Sequence, residues 1–540
     1  MPETDNLSDK SYKEAMGRSD FRFLLSDFRP QISICSAGGL LLDATGLISE
    51  TAVEFAADSR ATRCDLFVAV NPGREILEAA FSALGPGGNL YAEWTVDRRF
   101  ESRVITERLS RIGFDSICLY LPRPDPSNSI PTAWIPLGVT GAIEFLVNAG
   151  HSRNTTARFA KRIGRTIRRF FWRLIPGLFL KYPWLLSSGS NRFTVCSICC
   201  KPDENVSAMG ATETPLKILR DYARLGLDGR AEGLSAMMLA RGADSVDKNV
   251  LYIYRGRDNN PSAIVKISKS EDSADMLRNE SEVLRAINDK FRKIRGVPKI
   301  LCRSLGGEIN ISIQTVVSGV ELSSLLNESN YRQYAEMITG WLVNFAENTR
   351  TELPEDWRAK MVFSVLSELD SLLGGAVSPD FMSKTVKSLE GVEIPCLVCE
   401  HRDFGPQNIY VNGENPGVID WEFSRLSGLP ALDLIFFLTR ASMQIQGAPR
   451  SIAIRECYRQ MLDGDTFTGT VFRNCMDTYM NGLGISRTQI HSLRLLTWIV
   501  HYYWRMFYDK KYPDGPVDRE TSLSHWTLEL WMEELSRCGN

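Results

Sequence analysis

The 540-residue chain has no G-x-G-x-x-G fingerprint, no apolar run fit to cross a bilayer and no surplus of charge of either sign. The missing fingerprint removes the plainest sign of a dinucleotide-binding turn. The longest greasy stretch, Phe170–Leu186, is interrupted by Arg173, Pro176, Lys181 and Pro183 and makes a poor membrane span. Met1–Lys13 is polar and acidic, without the apolar core of a secretion signal. A formal net charge of −2 supplies no global pull toward a polyanion, so no nucleic-acid partner is expected. The 12 cysteines are scattered rather than framed as in a disulfide-stapled domain, and a reducing cytoplasm is the expected location. Cys196/Cys199 and Cys396/Cys399 sit in the apolar runs "FTVCSICC" and "PCLVC". Residues i and i+3 of a strand face opposite ways, so these pairs are expected to be buried thiols rather than zinc ligands.

Three blocks are present. In residues 1–205, "CDLFVAV", "NLYAEW" and "SICLYL" read as strands and "GREILEAAFSAL" and "VITERLSRIGF" as helices, the alternation of a parallel α/β sheet. "DLFVAVNP…ILEAAFSALGPGGNLYAEW", "GFDSICLYLPRPD" and "AWIPL" resemble the second half of a class I S-adenosylmethionine-dependent methyltransferase. The front half of such a domain is cut short. Only "LLLDATGLISETAVEFAADSRAT" follows a first strand, and a βαβ unit takes about 30 residues. A truncated, cofactor-free Rossmann-like domain is expected. It carries a basic insertion over 153–186: no Asp or Glu occurs from Phe145 to Pro202, while Arg158, Lys161, Arg162, Arg165, Arg168, Arg169 and Arg173 cluster. Phe159, Ile163, Ile167, Phe170 and Leu174 share one helical face, so the 158–174 helix reads either as a peripheral membrane contact or as a helix packed on its own domain.

Residues 206–317 open with the helix "PLKILRDYARLG", then give three strands, a helix and two more strands. Residues 318–540 are mostly helical, with His491 and His501 on aromatic-rich helices and expected to be core or rim residues.

"EHRDFGPQNIYVNGENPGVIDWE", residues 400–422, concentrates His401, Asp403, Asn408, Asp420 and Glu422 around a Gly/Asn/Pro turn. Polar residues at that density are costly unless they bind or react. Pairing "IYV" with "GVI" about a loop at Asn412–Pro416 sets Val411 opposite Gly417, Ile409 opposite Ile419, and Asn408 opposite Asp420. An amide oxygen and a carboxylate so opposed suit a Mg²⁺ that keeps phosphate and water ligands. Asp403, five residues before Asn408, stands where it can accept a proton from an attacking hydroxyl.

Residues 396–437 resemble the aminoglycoside phosphotransferase and choline kinase family, within the protein-kinase-like fold. The motif H-x-D-x-x-x-x-N is "HRDFGPQN", the metal segment is "VIDWE", and G-x-P-x-x-D-L is "GLPALDL", Gly428–Leu434. The resemblance covers the last 330 or so residues. It implies a multidomain chain, an N-terminal Rossmann-like domain followed by an α+β bilobal kinase domain with lobes 206–317 and 318–540. It also implies ATP and Mg as cofactors and a small-molecule hydroxyl as acceptor. Lys266 in "AIVKIS" would grip the α- and β-phosphates, with Glu280 holding it. Gly242 and Ser245 in "RGADSVDK" would lie nearest the phosphates, and Thr315 to Val317 would read the base. Asn408 and Asp420 would bind metal, Asp403 would be the catalytic base, and Asp433 would anchor the loop. "HRD" departs from the family's usual "HGD" at Arg402. Glu422, Asp433, Asp463 and Asp465 are the candidates to face a cationic or sugar acceptor. The alternatives are a pseudokinase scaffold and a working methyltransferase fused to a kinase.

Overall fold

A computed structural model describes residues 9–25, 30–55, 62–139, 142, 192–202, 234–240, 248–255, 260–268, 271–291, 294–304, 310–447, 451–511 and 525–537. Gly242, Ser245, the basic insertion over 153–186 and the helix expected at 215–226 lie outside them. The chain divides into two compact units, Met1–Ser270 with Ser304–Val316, and Glu271–Arg303 with Val317–Asn540.

In the first unit, α1 (Asp9–Arg18) precedes β1 (Ile32–Cys35), α2 (Leu40–Ile48), β2 (Thr51–Glu54) and β3 (Cys64–Val70). Next come α3 (Arg74–Ala83), β4 (Leu84–Asp97), α4 (Ser102–Ile112), β5 (Asp115–Arg123), β6 (Ala133–Pro136) and β7 (Arg192–Cys200). β8 (Leu234–Ala240), β9 (Lys248–Arg255) and β10 (Ala263–Ser268) follow. β11 (Ile300–Ser304), which belongs to the second unit up to Arg303, precedes β12 (Ile311–Gln314). The strands of this unit form one sheet in the order β12-β10-β9-β8-β6-β5-β7-β4-β3-β1-β2. β2, β1, β3 and β4 run parallel, and β7 lies antiparallel between β4 and β5. "CDLFVAV" is almost uninterrupted in its apolar residues because a parallel strand is covered on both faces. α3 and α4 bring Leu77 and Leu109 onto Phe67, Leu90 and Trp94. The turn expected at Gly85–Gly88 is instead the start of β4, where its register with β3 shifts.

The expected boundary at 205/206 falls between β7 and β8, two strands of this same sheet. β6 pairs antiparallel with β8, Ala133 opposite Leu239 and Trp134 opposite Met238. The Ala240 N–H donates to Thr132 O at 2.8 Å. Trp134 is fully buried, and Val139 and Ala142 pack with Met237 and Tyr254. Asn249 Nδ2 on β9 donates to Asp20 Oδ1 at 3.1 Å, fastening the segment after α1 to the same strands.

The second unit contains α5 (Glu271–Lys290), β13 (Val320–Glu321), α6 (Leu322–Leu325), α7 (Tyr331–Thr349), α8 (Ser364–Leu373) and α9 (Pro379–Leu389). β14 (Val398–Glu400), β15 (Ile409–Asn412), β16 (Asn415–Val418) and β17 (Arg425–Gly428) carry the polar stretch. α10 (Leu432–Ile445), α11 (Ser451–Leu462), α12 (Phe467–Leu483), α13 (Ile490–Lys511) and α14 (Trp526–Arg537) complete it. α7 packs on α12, and α10 packs on α11 and α13. Their apolar stripes close on Leu342, Phe345, Phe404, Trp421, Leu434 and Trp498.

One buried ion cluster ties the last helix in. Glu534 on α14, fully buried, accepts from Tyr458 Oη at 2.5 Å, Arg494 Nε at 3.0 Å and His491 Nδ1 at 3.0 Å. Burial alone pushes this carboxyl up, but His491, Arg494 and Tyr458 outweigh it and hold it below the ordinary glutamate value. His491 is therefore a partnered rim histidine.

Cys196, Cys199, Cys396 and Cys399 are buried, as the alternation argument expects. Among the described residues no group of three metal-ligating His, Cys, Asp or Glu side chains occurs, and no helix is long and apolar enough to cross a membrane.

Candidate active site

β14 delivers the chain to His401 beside β17, which pairs with it antiparallel. Arg402 follows in the left-handed region at φ 71°, a costly conformation for a side-chain-bearing residue. The carboxylate of Asp433, in the first turn of α10, sits against this bend. The His401 N–H donates to Asp433 Oδ2 at 2.7 Å and the Arg402 N–H to Oδ1 at 2.9 Å. Burial and the charge of Glu400 push the Asp433 carboxyl up, while those two amides pull it down. Asp433 is thus the loop's anchor, the place the sequence motif suggested for it.

His401 works as a brace. Its Nε2 donates to Ile419 O at 2.9 Å, and its Nδ1 accepts from the Asp403 N–H at 3.3 Å. One tautomer satisfies both bonds, so the ring is neutral. Trp421 meets it edge-on, with ring centres 4.7 Å apart.

Asp403 and Asn408 are joined directly. Asn408 Nδ2 donates to Asp403 O at 2.8 Å and to Asp403 Oδ2 at 2.7 Å. Both acceptors are oxygens, so the amide must face them with its nitrogen and turn its oxygen away. The short 3-10 turn Pro406–Asn408 makes the five-residue spacing close on itself.

The hairpin that follows differs from the expected pairing by one residue. Ile409 lies opposite Val418, Tyr410 opposite Gly417, Val411 opposite Pro416 and Asn412 opposite Asn415. The connection is the two-residue turn Gly413–Glu414, with Gly413 at φ 63°, rather than a loop of Asn412–Pro416. Two-residue turns match strand twist better, and Asn-Gly is a strong signal for one. Asn408 therefore stands opposite Ile419, whose N–H donates to Asn408 O at 3.0 Å, and not opposite Asp420. A one-residue slip normally sends side chains to opposite faces. Asp420 is turned by its own left-handed backbone, φ 69° and ψ 58°, at the entry to the 3-10 turn Trp421–Phe423.

α5 fixes that turn from outside. Glu280 Oε1 accepts from the Trp421 N–H at 3.2 Å, and Asn279 Nδ2 donates to Glu422 O at 2.8 Å and Ser424 O at 3.1 Å. Glu280 is thus one residue from Asp420 through a backbone amide. Val317 lies against Gly417, where a Cβ would meet Val317 Cγ1. Lys266, buried on β10, and Thr315, just past β12, belong to the first unit.

Two features were not read from sequence. Arg402, the departure in "HRD", sends its Nε to Glu400 Oε2 at 3.1 Å and its guanidinium over Trp504, 4.6 Å from the ring centre. Arg425 lies over the same ring at 5.1 Å. Arg402 is therefore engaged inside its own unit. The second feature is Arg440 on α10, two turns after Asp433. Nothing in local spacing announces either, since their partners come from α13 and α14.

No curated protein matches the chain. Among solved structures, the streptomycin–ATP ternary complex of APH(2'')-IIa is 13% identical over 60% of this chain and 99% of its own, at a TM-score of 0.34. Aminoglycoside phosphotransferase APH(3'')-Id from Streptomyces rimosus, with ADP and streptomycin, is 16% identical over 53% of this chain and 98% of its own, at 0.33. A choline/ethanolamine kinase family protein from Mesorhizobium loti is 13% identical over 60% of this chain and 93% of its own, at 0.34. The stretch that holds Lys266, Glu280, Asp403, Asn408, Asp420 and Asp433, residues 251–456, matches the model of the Phosphotransferase enzyme family.

Proposed function

We propose that the protein is an ATP- and Mg²⁺-dependent kinase that moves the γ-phosphate to a hydroxyl of a small molecule. The observation that carries this reading is the Asp403–Asn408 clasp, held from below by Asp433. The Asp403 carboxylate keeps one oxygen, Oδ1, clear of that clasp, and it takes the proton of the attacking hydroxyl. Asn408 commits its N–H groups to Asp403, so what it offers a ligand is an oxygen. With the carboxylate of Asp420, that is the all-oxygen donor set a hard divalent cation accepts, and these two residues would hold Mg²⁺. The ion, when bound, neutralises charge on the phosphates. Glu280 keeps the Asp420–Trp421 turn in place, and Lys266 grips the α- and β-phosphates. Gly242 and Ser245 are assigned to the phosphate loop, and Thr315 and Val317 to the base. Holding acceptor and phosphate in line supplies up to about 7–11 kcal/mol of the barrier reduction.

Asp403→Ala tests it. Nucleotide binding by calorimetry should stay within about threefold, while ADP release with an active acceptor should fall by about 10²–10⁴. Unchanged turnover would remove Asp403 from the mechanism.

We also infer that the front of the first unit is a methyltransferase-like framework lacking a working cofactor site, in the cytoplasm. The order β2-β1-β3-β4-β7-β5, with only β7 reversed, supports the framework, and only one βα unit precedes β2. Titration with S-adenosylmethionine should give no heat. Flotation with anionic vesicles would show whether the 158–174 helix adds a membrane contact.

A further inference from the structure

The acids expected to meet a cationic acceptor are placed elsewhere. Asp433 is spent on two backbone amides, and Asp463 and Asp465 lie in an exposed turn before α12. The side of the catalytic loop that α10 lines has the opposite character. Positions 433, 436, 437 and 440 fall on one face of α10, by the three- and four-residue steps of a helix. Asp433 holds the loop and Phe437 meets Phe404 edge-on at 6.1 Å, so this face runs along the catalytic loop. Arg440 is the next group outward.

Arg440 is half-buried and, among the described residues, makes neither a hydrogen bond nor an ion pair. Its guanidinium lies over Trp526, 5.5 Å from the ring centre, and burial pushes its pKa down. The one acid whose charge reaches it is Asp403. Around it are imidazoles, not carboxylates. His525 spends Nδ1 on Thr527 Oγ1 at 2.8 Å, and His501 stacks on Phe436 at 4.1 Å with its buried Nε2 unpartnered among the described residues. Both rings are pushed toward neutrality, first by burial and then by cations: Arg402 for His501, Arg505 and Arg440 for His525. By contrast, Arg402 has Glu400, Arg459 has Glu533 and Arg494 has Glu534. A cation partly withdrawn from water with no counter-charge is costly, and an anion arriving with a ligand removes that cost.

We propose that the phosphate acceptor is itself an anion, a sugar-sized hydroxy compound bearing a carboxylate or a phosphate, and that Arg440 on its aromatic bed of Trp526 and Phe436 receives that charge. The proposal rests on Asp403 being the catalytic base. An aromatic face beside a guanidinium suits a sugar ring carrying an acid, and it disfavours polyamines and choline-like cations by like-charge repulsion.

The full-length protein, saturated with Mg²⁺ and a non-hydrolysable ATP analogue, is titrated with glucuronate, glucose 6-phosphate, glucose and kanamycin. At least one of the two anionic sugars should bind ten times or more tighter than glucose, and kanamycin should not bind. Which of the two wins separates a carboxylate ligand from a phosphate ligand. Arg440→Gln should weaken that binding at least tenfold, with Arg440→Lys recovering part of it. Its melting temperature should be unchanged or higher, since no partner is lost. Anionic sugars binding no better than glucose, or equally well to the Gln variant, would overturn the proposal. So would kanamycin binding. The kinase reading fails separately, if the ATP analogue itself does not bind or if Asp403→Ala keeps full turnover.

Discussion

Asp433 spends both carboxylate oxygens on the chain, so replacing one of them should matter more than removing charge. Asp433→Asn offers a single oxygen, and one of the His401 and Arg402 amides then loses its acceptor. The expected cost is about 1–3 kcal/mol in denaturant unfolding, with turnover falling more than nucleotide affinity. Equal stability would mean that the bend is held by something else. At this scale the sequence was most legible where partners are close in number. His401, Asp403 and Asn408 lie within eight positions, and their spacing alone indicated the clasp. Arg440 and Arg402 were opaque because Trp526 and Trp504 reach them from helices far along the chain.

Elements show where pattern reading slips. Strand, turn and strand were legible in "NIYVNGENPGVID", yet the register was one residue off because the tight Asn-Gly turn competes with a longer loop containing Pro416. The left-handed backbone of Asp420 is invisible to pairing arithmetic. Gly319 is a second case. It has φ 129°, and a Cβ there would lie 2.6 Å from Val411 O, where β13 pairs with β15. Gly319→Ala should destabilise the second unit by about 1–3 kcal/mol, read by urea unfolding, because both backbone angle and space are denied. The α11–α13–α14 junction depends on charge. Glu534→Ala leaves Arg494 buried without its partner, and a loss of about 3–5 kcal/mol is expected in the same experiment.

Acid sensitivity belongs to the whole molecule. His501 is pushed down to about 3 and His525 to about 4, each chiefly by burial, from an ordinary value of 6.5. Both are neutral in the fold and take protons more readily when unfolded. Their contribution is therefore complete above about pH 6.5 and is lost progressively as pH falls toward 4. Urea midpoints should be level from pH 8 to 7 and drop between pH 6.5 and 5, and His501→Gln should flatten part of that drop. A midpoint constant down to pH 5 would contradict the burial of these rings.

The parallel order of the first unit was legible from its apolar runs, since a strand covered on both faces announces itself. The joining of β6 to β8 was not, because edge pairing leaves no mark in composition. The fragment 206–540 would bare the β8 edge along with Met237 and Met238, and it should aggregate where the full chain does not. Cutting the chain between Pro202 and Leu234 is a different operation, for it severs covalent continuity and leaves the ladder. Two polypeptides produced separately on either side of that gap should find each other, co-elute, and resist separation until the sheet itself melts. A gene split there would still encode one machine.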